Sequence, residues 1–416
     1  MRSERGWALA TTLVGAVVFV ALAAWWIPWH PVPGGPVVAT DPHTVFTDAQ
    51  IARAGAYSTT ARLLGYASLL VGLVVAALFG FSRVGRRLVE RLPGPWVVRA
   101  LLAVLVLAVI GRLVTLPFAM ISHHRAVHYG LSTQGWSDWF ADQGRGLGVS
   151  VVVSWLLVVV LVACARRWRR AWPVIAGGLL GALVLLGSFV YPVLVEPLFN
   201  HFTPLPDGSL RSQILRLADQ EHVHVDDVLV ADASRRTTTL NAYVSGYAST
   251  RRVVLYDTVV DDLPRAEILS VVAHELAHAH HDDVLTGSVL GAVGTWTSVG
   301  LLGLAVGAVR RRPGELADPA IIPLVLALVA IGTLASSPVN NGLTRQIETR
   351  ADVDALETTG NAAAFERLQQ QLALRSLGDP TPPAVSQWWF GSHPTSLQRI
   401  AIARRIGQEG QAQQVT

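Results

Sequence analysis

Val271-Val272-Ala273-His274-Glu275-Leu276-Ala277-His278-Ala279 decides how this chain is read. The run is apolar and alanine-rich, without glycine or proline, so it predicts a helix. On a helix, residues four apart lie on one face about a turn apart. His274 and His278 can therefore aim two imidazoles at one metal ion. Glu275 sits beside them, placed to take a proton from a water molecule. At this composition the pattern His-Glu-x-x-His arises by chance in roughly one such chain in a hundred, so its surroundings must be consulted. The plain alternative is two surface histidines on an ordinary helix.

The surroundings are those of a membrane protein. Of 416 residues, 51% are hydrophobic and only 15% charged, against about 25% charged in ordinary soluble domains. Mean hydropathy is +0.42. Seven apolar runs are long enough to cross a bilayer: Trp7 to Ile27, Leu63 to Phe81, Trp96 to Ile121, Leu147 to Cys164, Trp172 to Val195, Val284 to Val309, and Ala320 to Leu334 extending toward Pro338. The first is too long for a signal peptide and ends in Trp25, Trp26 and Trp29, which mark an interface. Arg112, inside the third run, is costly against lipid and is expected to face protein or water. The lone cysteine, Cys164, excludes an intramolecular disulfide and a multi-cysteine zinc site.

The chain divides into residues 1–195 with five spans, a soluble part 196–283 ending in the metal helix, two spans in 284–337, and a polar helical part 338–416. In the soluble part, Ser209 to Gln220 reads as an amphipathic helix with Ser209 as its cap. Val228 to Val230, Asn241 to Gly246 and Arg252 to Tyr256 read as strands. Pro264 falls in the first turn of the metal helix. Asn361 to Leu377 and Thr395 to Gly407 are the best helices of the tail. The fold class is therefore a mainly α membrane protein of about seven transmembrane helices. No repeat or low-complexity segment interrupts it.

Every Lys/Arg-type residue is arginine, and the arginines cluster in short blocks. Arg2/Arg5, Arg83/Arg86/Arg87/Arg91, Arg166/Arg167/Arg169/Arg170 and Arg310/Arg311/Arg312 all fall on one side if seven spans alternate. By the positive-inside rule that side is cytoplasmic, which puts the metal helix on the outer face. Such blocks suit membrane orientation rather than nucleic-acid binding. An all-arginine basic set points to a GC-rich bacterial genome and hence to a bacterial cell membrane.

His-Glu-x-x-His is the arrangement of zinc peptidases, where zinc takes three protein ligands and a water. His281 is on a similar face to His274 but about 10 Å farther along the axis, too far to share an ion. His280, His281, Asp282 and Asp283 are accordingly expected to form a solvated helix end. A metzincin third histidine would fall at Val284, so that pattern fails. A distant carboxylate remains. Glu348 and Asp352, again four apart, sit in Arg345-Gln346-Ile347-Glu348-Thr349-Arg350-Ala351-Asp352. Glu348 could bind the ion while Asp352 accepts the second ring N–H of a ligand histidine. Taken alone, that segment reads equally as an exposed charged helix.

The histidine motif, the Arg345/Glu348/Asp352 segment and the two spans between them resemble the integral-membrane CAAX prenyl endopeptidases and bacterial relatives such as HtpX. So do Pro197-Leu198-Phe199-Asn200 with Thr203-Pro204-Leu205, Asn241-Ala242-Tyr243 with Gly246, Val253 to Thr258, and Ser392-His393-Pro394 with Arg399-Ile400. The likeness runs from about Pro192 to Ile400, and the seven-span plan extends it. It implies a zincin-like α+β metallopeptidase domain with one zinc ion held by His274, His278 and Glu348, and with Asp352 behind them. It makes Glu275 the base, His393 a donor to the tetrahedral intermediate and Arg399 a supporting charge. Asn241-Ala242-Tyr243 becomes an edge strand for an extended peptide or protein substrate, drawn from membrane-associated or misfolded chains. It also implies a cytoplasmic active site, against the arginine blocks.

Two other readings compete. A site-2-type intramembrane protease needs a later Asp-Gly motif, but the only Pro-Asp-Gly, Pro206 to Gly208, precedes the histidines. A non-catalytic scaffold that merely carries metal would not need the base alongside three ligands.

Overall fold

The computed structural model describes residues 2–247, 250–309 and 315–415. Seven helices are long and apolar enough to cross a membrane: α1 (Arg2–Trp26), α2 (Asp48–Phe81), α4 (Trp96–His128), α5 (Trp136–Arg167), α6 (Trp172–Leu194), α10 (Asp283–Val309) and α11 (Ile322–Thr359). A short basic helix, α3 (Arg83–Glu90), follows α2. Large apolar side chains such as Val17, Leu70, Leu113, Val152 and Leu301 stay exposed along the spans, as lipid-facing surface requires. Inside the bundle small residues let backbones meet. A Cβ on Gly177 of α6 would lie 2.2 Å from the Trp296 ring of α10.

The helices overrun the apolar runs read from the sequence. α2 starts at Asp48 because Thr47 and Gln50 form a capping box. α4 and α5 extend beyond the apolar runs to a short connection at one end, where Ser132 bridges Thr237 and Arg236 pairs with Asp142 at 2.9 Å. The soluble part is thereby tied to that end of the bundle. At the other end Arg166 donates to the Ala317 carbonyl and lies over the Trp96 ring. Arg112 is half-buried and has no ion-pair partner among the described residues.

The soluble part holds a four-stranded sheet in the order β1-β2-β4-β3, built from β1 (Phe202–Pro204), β2 (Asp227–Ala231), β3 (Ala242–Ser245) and β4 (Arg252–Tyr256). β2 and β4 are parallel; β3 runs antiparallel to β4 and is an edge. Side chains alternate across the sheet. Val228, Ala242, Val253 and Leu255 face the main core, while Leu229, Ala231 and Val254 face away with Tyr243. Gly246, at φ +87°, turns the chain after β3 where a Cβ would meet the Thr250 carbonyl.

Helix α7 (Ser209–Gln220) is capped by Gly208, not Ser209, and without a side-chain bond. The short α8 (Asp257–Asp262) leads to the metal helix α9 (Arg265–His280), where Pro264 is the cap rather than a first-turn residue. Ile268, Val272, Ala273 and Leu276 of α9 join the main core with Phe365, Leu368, Ile402 and Ala403. Fully buried Leu276 alone contributes about 1.5–3 kcal/mol. Three helices close the chain: α12 (Ala362–Ser376), α13 (Ala384–Phe390) and α14 (Ser396–Val415).

The expected boundary near residue 338 is not a break. α11 continues through Pro338 to Thr359. Proline frees the carbonyl four residues before it, and here Leu334 O accepts the Trp389 indole N–H at 3.0 Å. A single rigid element thus links a membrane span to Glu348.

Candidate metal centre

α9 and α11 pack together and bring three ligating groups into one place. His274, His278 and Glu348 each offer one atom, and these lie within 4.8 Å of one another. The Nε2 atoms of His274 and His278 are 3.3 Å apart, and Glu348 Oε2 is 3.2 Å and 3.7 Å from them. A tetrahedral ion with bonds of about 2.0–2.1 Å separates its ligands by about 3.4 Å, so the spacing fits. Glu348 Oε2 is buried without a hydrogen-bond partner, which is costly unless a cation satisfies it.

The far side of each imidazole is also fixed. His274 Nδ1 lies 3.0 Å from Asp352 Oδ1, and His278 Nδ1 lies 2.9 Å from Asp283 Oδ2. With Nδ1–H directed to a carboxylate, each ring turns its Nε2 lone pair toward the shared space. Each carboxylate has its own guanidinium. Arg399 binds Asp352 through two nitrogens, Nε at 2.8 Å, and Arg350 binds Asp283.

Asp283 and Arg350 were not among the expected site residues; of the expected solvated helix end, His280 is exposed, but Asp283 is turned inward to His278. Asp282 adopts φ +52°, a left-handed conformation that ends α9 and folds Asp283 back under His278. His281 pairs with Asp354 at 2.8 Å, His280 with the Glu221 carbonyl, and Asp282 with Arg251. The only signal in the sequence was a paired Asp-Asp directly after the histidines.

Burial raises the Glu275 carboxyl against the lowering pull of His274 and His278. Burial pulls the His278 ring down, but the Asp283 and Glu348 carboxylates outweigh it and push it up to about 10. Loss of solvent around the ring pulls His393 down from its ordinary value, although the side chain is still 54% exposed. Its Nε2 is 3.3 Å from Glu348 Oε2 and its Nδ1 is 2.9 Å from Ser392 Oγ.

Two cavities flank this centre, of about 190 Å³ and 440 Å³. Both are walled by Asn241, Ala242, His274, Glu275 and His393. The smaller runs inward toward α12; the larger runs toward α10 and α11, past Val284 and Ile347. Asn241 and Ala242 are thus brought to the site. Tyr243 is not: alternation turns its side chain to the other face, where it donates to Glu196 Oε2 at 3.2 Å. α9 is not among the seven helices that meet the length and apolarity of a span.

Residues 204–406 match peptidase family M48, and residues 38–201 match the family described as CAAX prenyl protease N-terminal, five membrane helices. The uncharacterized metalloprotease YhfN of Bacillus subtilis is 33% identical over 308 residues, 73% of this chain and 72% of that protein. CAAX prenyl protease 1 of Saccharomyces cerevisiae is 24% identical over 329 residues, 73% and 71% of the two chains. The crystal structure of S. mikatae Ste24p superposes with a TM-score of 0.76 at 21% identity, covering 95% of this chain and 99% of that one. At that identity the likeness shows the fold.

Proposed function

The chain belongs to peptidase family M48 and is a membrane metalloprotease, and from that premise we propose that it is a zinc endopeptidase acting through Glu275. The carrying observation is the unpartnered Glu348 oxygen facing two imidazole nitrogens whose rings are locked from behind. His274, His278 and Glu348 would hold the zinc, with Asp352 and Asp283 orienting the rings. Residues 1–195 and 284–337 anchor the chain, while 196–283 and 338–416 carry the chemistry.

When bound, the zinc would polarise the scissile carbonyl and acidify a water molecule. Glu275 takes the water's proton and delivers it to the leaving amine. His393, which lines both cavities, donates to the developing oxyanion. Arg399 acts through Asp352 rather than on substrate. An extended peptide adds to the free edge of β3, its backbone pairing beside Asn241 and Ala242. Antiparallel pairing is the more stable. β3 runs from the smaller cavity to the larger, so the substrate's C-terminal side lies at the smaller cavity. The substrates are membrane-associated or misfolded proteins, presented from the larger cavity beside α10 and α11. Purified protein is expected to cleave labelled casein, to stop with a chelator and to recover with zinc. Undiminished cleavage in chelator would overturn the reading.

We also place the metal centre on the outer face. Arg83, Arg86, Arg87 and Arg91, together with Arg166 and Arg167, lie at the bundle end opposite the sheet, while Arg310, Arg311 and Arg312 lie outside the described residues. Alkaline phosphatase fused after Thr416 is expected to be active. An inactive phosphatase, with fluorescence from a cytosolic reporter at the same point, would place the centre inside.

A further inference from the structure

The smaller cavity has an apolar wall of Leu240, Val259, Leu263, Val271, Phe365 and Leu368. Its volume is several times the about 30 Å³ share of one water molecule, so it admits a large side chain. Gln369 of α12 also lines it. That side chain is only 2% exposed, yet its Nε2 has no hydrogen-bond partner among the described residues. Of the ionisable groups of the wall, Arg399 and His274 are held by Asp352, and Glu275 and His393 have the catalytic roles proposed above. The Gln369 carboxamide serves none of these. A buried amide left unpaired is unfavourable, and a wall amide in an apolar pocket is the usual device for fixing a ligand's polar tip.

We propose that Gln369 sets the specificity of this pocket. It selects, immediately C-terminal to the scissile bond, an apolar side chain that ends in a single hydrogen-bonding group. Tyrosine is preferred over phenylalanine and glutamine over leucine. The inference rests on the peptidase reading and on the strand direction argued above. Which way the amide is turned does not matter, because the phenol and the glutamine amide both donate and accept.

Four quenched-fluorescence peptides, identical except at that position (Tyr, Phe, Gln, Leu), test it, with the cleavage point fixed by mass spectrometry. The wild-type protein is expected to show kcat/KM ratios of about tenfold for Tyr over Phe and for Gln over Leu. In Gln369→Leu both ratios should collapse to about one, with bound zinc reporting an intact site; Gln369→Met serves if that variant does not fold. Wild-type ratios within about twofold overturn the proposal, as do ratios unchanged by either substitution. If neither variant folds, the wild-type ratios alone decide. Cleavage without discrimination overturns only this inference, whereas no chelator-sensitive cleavage of any peptide overturns the peptidase reading as well.

Discussion

Glu275→Gln is expected to lower kcat by about 10³- to 10⁴-fold while zinc stays bound, the upper part of the range for removing a general base. The amide is isosteric and still fits between α9 and the β3 edge, so packing is not disturbed. None of the ligating atoms belongs to Glu275. What disappears is the basic oxygen that accepts a proton. Burial already raises this carboxyl toward the range of a useful base. KM should change little, because Glu275 carries no substrate side chain. Turnover with zinc bound in Glu275→Gln within tenfold of wild type would remove Glu275 from the mechanism.

Arg399→Leu is expected to cost about 3–5 kcal/mol of stability, the cost of breaking a buried ion pair from one side. The Asp352 side chain is fully buried and that of Arg399 nearly so. Without the guanidinium, Asp352 keeps only His274 Nδ1 as a partner among the described residues and must carry an uncompensated charge or take up a proton. A proton on Asp352 removes the acceptor that orients His274, so zinc affinity should fall with stability, by about 10–100-fold. The double variant Arg399→Leu with Asp352→Leu should regain part of the stability and none of the zinc affinity. A melting temperature unchanged in Arg399→Leu would contradict the ion-pair account.

The membrane plan was legible because composition alone fixes it: seven apolar runs that, Arg112 apart, keep charge near their ends. The metal helix was legible because His274 and His278 lie four apart in a run that favours helix. Glu348 was reachable because Asp352 repeats the same spacing. Asp283 was not, because helical periodicity places it off the His278 face. Only the left-handed Asp282 returns it. The overrun of α2 was there to be read in Thr47-Asp48-Ala49-Gln50, a capping box ahead of a polar first turn. The short α13 carries no comparable signal, although its Trp389 satisfies the carbonyl that lets α11 pass Pro338 unbroken. Strand alternation separated Tyr243 from Ala242, a split that a three-residue motif does not announce.

The most direct measurement is zinc content with X-ray absorption at the zinc edge, on protein purified without chelator and on Glu348→Ala. One zinc per chain is expected, bound by two imidazole nitrogens and at least one oxygen, with the content falling well below one in Glu348→Ala. A first shell without imidazole, or one that is identical in Glu348→Ala, would contradict the centre described here.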